Sequence, residues 1–246
     1  MRITARELRH LASDVDDMHR ESMSSFKEEA AELHLATRRS FMKKAGVAGG
    51  GAALLTTVGF GPLGRIMPVA AAQGLTDTVI AGYAQSVELA AVAAYTAAAG
   101  ALPDAVRPVG ELFASHHQDH ADAFGAVAGD DARPEANAAL VAAVTPTLQA
   151  VAEGGVQLED ILRFARTLEN QAAYTYAFAL TALQDPAYAA ATSTILPVET
   201  AHATVLSIAA GDTDFEALFP TGAFEVATVG DGTDPLAGLD PAVFAG

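Results

Sequence analysis

The chain of 246 residues has no cysteine. Without thiols it cannot form a disulfide framework, a thiolate zinc site or a cysteine nucleophile, and it is indifferent to the redox state of its compartment. It also has no G-x-S-x-G motif and no phosphate-binding loop, so nothing in it supports a serine hydrolase or a nucleotide site. Hydrophobic residues make up 51% of the chain, which is enough to bury a sizeable core.

Basic residues are scarce in the larger part of the chain, and lysine is missing from residues 73–246 altogether. Residues 1–72 hold 10 of the 14 Lys and Arg residues and 8 of the 30 Asp and Glu residues, which leaves 4 basic and 22 acidic residues for the remainder, a net charge of −18. A surface this negative repels phosphate backbones, so we expect no nucleic-acid partner. It attracts cations, although solubility or adaptation to salt is the simpler explanation.

The first 72 residues show the order of parts of an export signal. Arg38 and Arg39 stand before a glycine- and alanine-rich apolar run over residues 45–60, and residues 69–72 offer the small side chains that a signal peptidase reads. The arginine pair resembles a twin-arginine signal, which implies the twin-arginine export machinery as a partner. The run is shorter than the roughly 20 residues of a membrane-spanning helix. We therefore expect cleavage after Ala72 and export to the periplasm, cell surface or medium, with an uncleaved membrane anchor as the alternative.

A charged stretch, residues 1–36, precedes this signal. Leu8, Leu11, Val15 and Met18 recur there at helical spacing, which is typical of an amphipathic helix. An upstream start codon that is not used would explain the stretch equally well. Residues 1–72 are therefore treated as an N-terminal extension with a signal peptide and are left out of the fold prediction.

Residues 73–211 are predicted to be helical throughout, because alanine is abundant and helix breakers occur in clusters. The predicted helices span residues 75–99, 104–127, 135–153, 157–183 and 187–210, with Pro197 expected to kink the last. Short joints within the first and last pairs favour antiparallel neighbours, and the third helix fits a crossover connection. We expect an all-α antiparallel four-helix bundle followed by an irregular acidic arm, residues 212–246, whose phenylalanines pack on it.

An internal duplication relates the two halves of this bundle. Glu88 and Tyr95 recur as Glu169 and Tyr176, both at an offset of 81 residues. The pair His117 and His120 recurs as Glu199 and His202, both at an offset of 82. The two helix pairs therefore superimpose in sequence with a slip of one residue in a loop.

The duplicated residues have the chemistry of metal ligands. Residues three apart lie on one face of a helix, so each such pair can reach one ion, and a glutamate from the neighbouring helix adds an oxygen. Mixed oxygen and imidazole donors suit iron or manganese, and also zinc. The six candidate ligands are Glu88, His117, His120, Glu169, Glu199 and His202. Tyr95 and Tyr176 are candidates to hydrogen-bond a ligand or carry a radical, although packing in the core is the commoner role of a tyrosine.

The order of these residues resembles the ferritin-like superfamily, in which two helices each give one glutamate and two give Glu-x-x-His. The sequence segments 168–173 and 220–224, together with the export signal, resemble those of exported bacterial ferritin-like domain proteins. The resemblance covers about residues 75–225. The resemblance implies a four-helix bundle that binds two divalent ions, iron first and manganese or zinc as alternatives. It implies no particular substrate.

One position departs from the family pattern, since His117 stands where the first half has a glutamate. A neutral nitrogen donor then replaces a charged oxygen donor, so the first-half metal is expected to be looser, different or absent. Asp119 points elsewhere because it is one residue from His120. His116 with His120 is a rival i,i+4 pair, but the offset of 82 selects His117.

The sequence leaves several functions open. One is a metal protein that uses iron with oxygen or peroxide, as an oxidase, a ferroxidase or a protector against oxidative stress. The alternative is a metal-free or single-metal bundle that acts in stress or desiccation protection or as a binding protein. A closed iron-storage shell is disfavoured by the crossover helix and the acidic arm. Assembly into a homo-oligomer is compatible with each.

Overall fold

The structure, a computed structural model, describes residues 3–44 and 76–212. Every regular element in these residues is helical, which confirms the all-α prediction. The helices are α1 (Ala5–Lys44), α2 (Asp77–Ala99), α3 (Arg107–Ala128), α4 (Ala138–Ala152), α5 (Leu158–Ala182) and α6 (Pro186–Ala209), with one 3-10 turn at Gly129–Asp131. The expected cleavage site and most of the acidic arm lie outside the described residues. Within those residues, no helix combines the length and apolarity needed to cross a bilayer.

The helix ends follow from local side-chain chemistry. Thr76, Asn137 and Asp185 each precede a helix and accept a hydrogen bond from a backbone N–H of its first turn. Such caps satisfy amide groups that have no partner inside the helix. Pro197 lies inside α6 without ending it, so Glu199 and His202 share one continuous helix.

Two helical hairpins form the bundle. Helix α2 packs along α3, and α5 packs along α6, so that each half of the duplicated sequence forms one hairpin. Helix α4 packs against α2 and links the halves, as a crossover helix does. The predicted boundaries of these five helices agree with the structure to within about three residues.

Helix α1 packs on the outside of this bundle against α6 and α3, the two helices that carry the paired candidate ligands. Its buried stripe repeats at helical spacing: Leu8, Ala12, Val15, His19, Ser22, Met23 and Phe26. The helical spacing was predicted from the sequence, but its place against the bundle was not. This helix was not part of the fold prediction, whereas the structure packs it on the bundle as one of the six described α-helices.

The apolar core is divided into separate clusters. One contains Leu8 and Val15 of α1 together with Phe113 and Leu206. Another contains Phe26 of α1, with residues such as Phe124, Tyr176 and Ile195. Polar side chains, described below, occupy the interior between them. Helix α1 thus contributes to both clusters and passes the polar layer in between.

Candidate metal centre

All six candidate ligands meet in the interior of the bundle. Each is at most 2% exposed, and they come from α2, α3, α5 and α6. They are Glu88, His117, His120, Glu169, Glu199 and His202. Burial of so many ionisable groups is rare unless they are paired or hold a metal.

The six residues form two overlapping groups. The first group contains Glu88, His117, His120 and Glu199. The second group contains His117, Glu169, Glu199 and His202. Within each group one nitrogen or oxygen atom from every residue lies within 4.8 Å of the others. Because His117 and Glu199 belong to both groups, the groups are neighbours. This buried Glu/His cluster resembles a dinuclear metal site.

Several donor atoms of the cluster lack hydrogen-bond partners. Among the described side chains, both nitrogens of His120 and both carboxylate oxygens of Glu199 make no hydrogen bond. His120 Nδ1 and Glu199 Oε1 lie 2.9 Å apart but are not aligned as donor and acceptor. Leaving a buried polar atom without a partner costs about 1–3 kcal/mol. A metal ion at this point would satisfy these atoms, so the residues present fit such an ion.

Each tyrosine of the duplication binds a carboxylate of the opposite hairpin. The Tyr95 hydroxyl of α2 donates to Glu169 Oε1 of α5, and the Tyr176 hydroxyl of α5 donates to Glu88 Oε1 of α2. Burial, reinforced by the adjacent carboxylates, raises the pKa of both tyrosines well above its ordinary value. They therefore stay protonated and act as donors. Each tyrosine thus donates a hydrogen bond to one candidate ligand.

Opposite charges stabilise the buried acids and imidazoles. Burial alone would raise the pKa of Glu88, but the charges of His117 and His120 outweigh it and lower this pKa to about 2. Burial alone would lower the pKa of His120, but Glu88 and Glu199 raise it to about 9. His117 Nδ1 lies 2.7 Å from Glu88 Oε2, and its Nε2 lies 3.2 Å from Glu169 Oε1. Without metal, the cluster is thus a set of ion pairs.

The rival candidate His116 belongs to neither group. Its Nδ1 lies 3.0 Å from His202 Nε2, and its Nε2 lies 3.3 Å from Asp16 Oδ1 of α1. Burial, together with the neighbouring His202, lowers the pKa of His116 to about 2, so its imidazole is neutral. Asp119 points away from the cluster, as predicted, and its Oδ2 lies 3.1 Å from His19 Nε2.

Sequence reasoning missed the contribution of Asp16 and His19. His19 is 3% exposed and stacks on His116, with ring centroids 3.9 Å apart. The signal was available: His19 continues the helical spacing of the stripe that starts at Leu8. Asp16 carries no such signal, because it lies beside the stripe and is 24% exposed.

An apolar cavity of about 130 Å³ adjoins the cluster. It lies between α2, α4 and α5, and side chains such as Ala94, Val144 and Leu162 line it. Tyr95, His117 and Glu169 of the polar layer also border the cavity. The cavity therefore offers space for a small uncharged molecule beside the cluster.

Four charged side chains of α3 and α5 lie outside the cluster. Arg163 and Arg166 both bind Asp212, just beyond the end of α6, at 3.0 Å and 2.8 Å. Glu111 and Asp122 are exposed on α3. The two arginines therefore fasten the end of α6 to α5, and none of these four groups touches the cluster.

The fold and the cluster define a ferritin-like helical bundle. The family model for the ferritin-like domain matches residues 71–212, and the chain belongs to that family. Comparisons with curated proteins and with solved structures found no significant match.

The metal-free protein is expected to be most stable near pH 6.5, because His116, whose pKa is lowered from 6.5 to about 2 by burial, is held neutral and costs stability as the pH falls below 6.5. His120, with its pKa raised from 6.5 to about 9, stabilises the fold fully below pH 6.5, and this contribution is lost as the pH rises through 9. Glu88, with its pKa lowered from 4.5 to about 2, contributes above pH 4.5 and loses this as the pH falls through 2. Thermal unfolding of metal-stripped protein between pH 2 and 9 measures the loss of stability on the acid and on the alkaline side.

His120→Gln should reduce the loss of stability that the metal-free protein shows above pH 6.5. His10→Gln, at a histidine whose side chain is 78% exposed, should leave that loss unchanged. An equal alkaline loss of stability in wild type and His120→Gln would contradict this electrostatic account.

Proposed function

We propose that the six clustered residues bind two divalent metal ions, iron first, with manganese or zinc as alternatives. The observation that carries this proposal is the pair of overlapping buried groups that share His117 and Glu199. The donor atoms of His120 and Glu199 that lack hydrogen bonds support it, because His120 belongs to the first group and Glu199 to both.

The donor set supports iron or manganese. Three carboxylates and three imidazoles give mixed oxygen and nitrogen ligands, which suit divalent first-row metals. Three negative charges offset most of the four positive charges of two such ions. The Tyr95 hydroxyl donates to Glu169, and the Tyr176 hydroxyl donates to Glu88. These hydrogen bonds keep the two carboxylates oriented.

The reaction we propose is the oxidation of ferrous iron by dioxygen or peroxide. With dioxygen, two Fe²⁺ become two Fe³⁺, and the two electrons with two protons from water reduce O₂ to hydrogen peroxide. The apolar cavity beside Tyr95, His117 and Glu169 supports this reaction, because it offers a small uncharged oxidant a place next to the cluster. The protein's own groups bind iron, exclude bulk water and keep the tyrosines protonated.

The two metal positions are expected to be unequal because of His117. A neutral imidazole has one lone pair for a metal, so His117 can ligate only one ion at a time. Its two nitrogens lie near carboxylates of different groups, 2.7 Å from Glu88 and 3.2 Å from Glu169. The position that lacks His117 keeps only three ligand residues and should bind more weakly.

Metal content tests the proposal most simply. The full chain loaded with Fe²⁺ or Mn²⁺ should retain two ions per chain, as counted by plasma mass spectrometry, and should oxidise added Fe²⁺ under oxygen. Glu169→Gln, which removes a ligand charge, should lower the count to one or fewer, while the exposed control Glu111→Gln keeps two. A folded wild type without metal would contradict the proposal and favour the metal-free protective bundle.

The substitution His117→Glu should strengthen the weaker position. It restores the family's glutamate, which has two oxygens and can therefore bridge two ions, and it adds one negative charge. We expect stepwise cobalt titrations to show two unequal affinities in the wild type and a smaller difference in His117→Glu. If the wild type already binds both ions with equal affinity, the asymmetry assigned to His117 is wrong.

We also propose that the chain is exported through the twin-arginine machinery, which the order of parts in residues 38–72 supports. Replacing Arg38 and Arg39 by lysine should retain the protein in the cytoplasm of a bacterial host, as measured by cell fractionation. Lys43→Arg with Lys44→Arg is the charge-matched control. Equal export of all three forms would exclude this route.

A further inference from the structure

Helix α1 brings two polar side chains to the level of the metal centre. Along its buried stripe, Val15 packs with one apolar cluster and Phe26 with the other. Between them, Asp16 and His19 face α3, where they contact His116. These contacts bring α1 close to the candidate ligands.

Asp16, His116 and His202 form one continuous line of polar contacts into the cluster. Asp16 Oδ1 lies 3.3 Å from His116 Nε2, and His116 Nδ1 lies 3.0 Å from His202 Nε2. The other ring nitrogen of His202, Nδ1, lies 3.4 Å from Glu169 Oε2 and 3.6 Å from Glu199 Oε2. His202 therefore turns one nitrogen to the line and the other to the candidate metal position.

The chemistry of the line fixes where its protons lie. An ionised carboxylate only accepts hydrogen bonds, so His116 Nε2 must carry the proton that it donates to Asp16. A neutral His116 then has its lone pair on Nδ1, which accepts a hydrogen bond from His202 Nε2–H. His202 is left with Nδ1 for the metal. One carboxylate thus sets the proton positions of two imidazoles.

We propose that Asp16 and His116 are positioning residues that hold the His202 ring and fix the tautomer in which Nδ1 faces the cluster. The part of this inference that concerns metal rests on the proposed function. Hydrogen bonds to the far nitrogen of a histidine ligand orient its ring and raise its basicity. The N-terminal part of α1, which carries Asp16, is therefore a functional part of the site, although it precedes the signal-like segment, residues 38–72, in the chain.

Ring stacking supports the same assignment. His19 lies against His116 with centroids 3.9 Å apart and an interplanar angle of 17°. Phe113 lies against His202 with centroids 4.0 Å apart and an angle of 26°. Both imidazoles of the line are thus held flat against another ring. If the chain is cleaved after Ala72, α1 must stay bound to the bundle for the line to remain intact.

The test compares Asp16→Asn with Asp17→Asn in the full chain. Both aspartates pair with Arg20, but Asp17 is 71% exposed and lies outside the line, so it is the matched control. In metal-free wild type and Asp17→Asn, long-range ¹⁵N–¹H spectra should show His116 protonated on Nε2. In Asp16→Asn, where the amide can also donate, the Nδ1–H form of His116 should become populated.

Cobalt affinity is the second readout. Loss of such an outer hydrogen bond lowers metal affinity about 10–100-fold, and we expect this for Asp16→Asn but not for Asp17→Asn. Asp16→Glu should restore both the tautomer and the affinity, and thermal melts would show whether each variant folds. If wild-type protein binds no cobalt, the proposed function fails, and the His116 tautomer alone decides this inference. An unchanged tautomer in folded Asp16→Asn would overturn it.

Discussion

The structure depends on the burial of three carboxylates and three imidazoles inside an apolar helical bundle. Removing each charge from water costs several kcal/mol, so these groups persist only with close partners. The imidazoles lower the pKa of Glu88, the carboxylates raise the pKa of His120, and the tyrosine hydroxyls bind the outer acids. Both nitrogens of His120 and both carboxylate oxygens of Glu199 lack hydrogen bonds, so the protein groups alone do not complete this compensation.

The duplicated sequence explains why the site is nearly symmetric. Each hairpin supplies one glutamate, one tyrosine and one pair of residues three apart, and each tyrosine reaches across to the other hairpin. Two features break the symmetry. His117 replaces a carboxylate in one half, and α1 packs mainly against α3 and α6. Both features change the surroundings of particular imidazoles and leave the helical framework as it is.

The sequence predicted the helices and the membership of the cluster because both depend on spacing along the chain. Alanine-rich segments between breakers gave the helix bounds, and equal offsets selected His117 over His116. The place of α1 was not predictable in the same way, because an amphipathic stripe shows that a helix is covered but not by what. The role of His116 was missed for a related reason: helical spacing gives a face, whereas its contact with Asp16 joins residues 100 apart.

Anomalous X-ray diffraction from crystals of the metal-loaded full chain would test the central claim most directly. Data on either side of the iron or manganese absorption edge locate the ions without reference to activity. The account predicts two peaks about 3.5–4 Å apart, the spacing of two-metal sites, within bonding distance of the buried acids and imidazoles. Crystals of the folded bundle with no peak among these six side chains would contradict it.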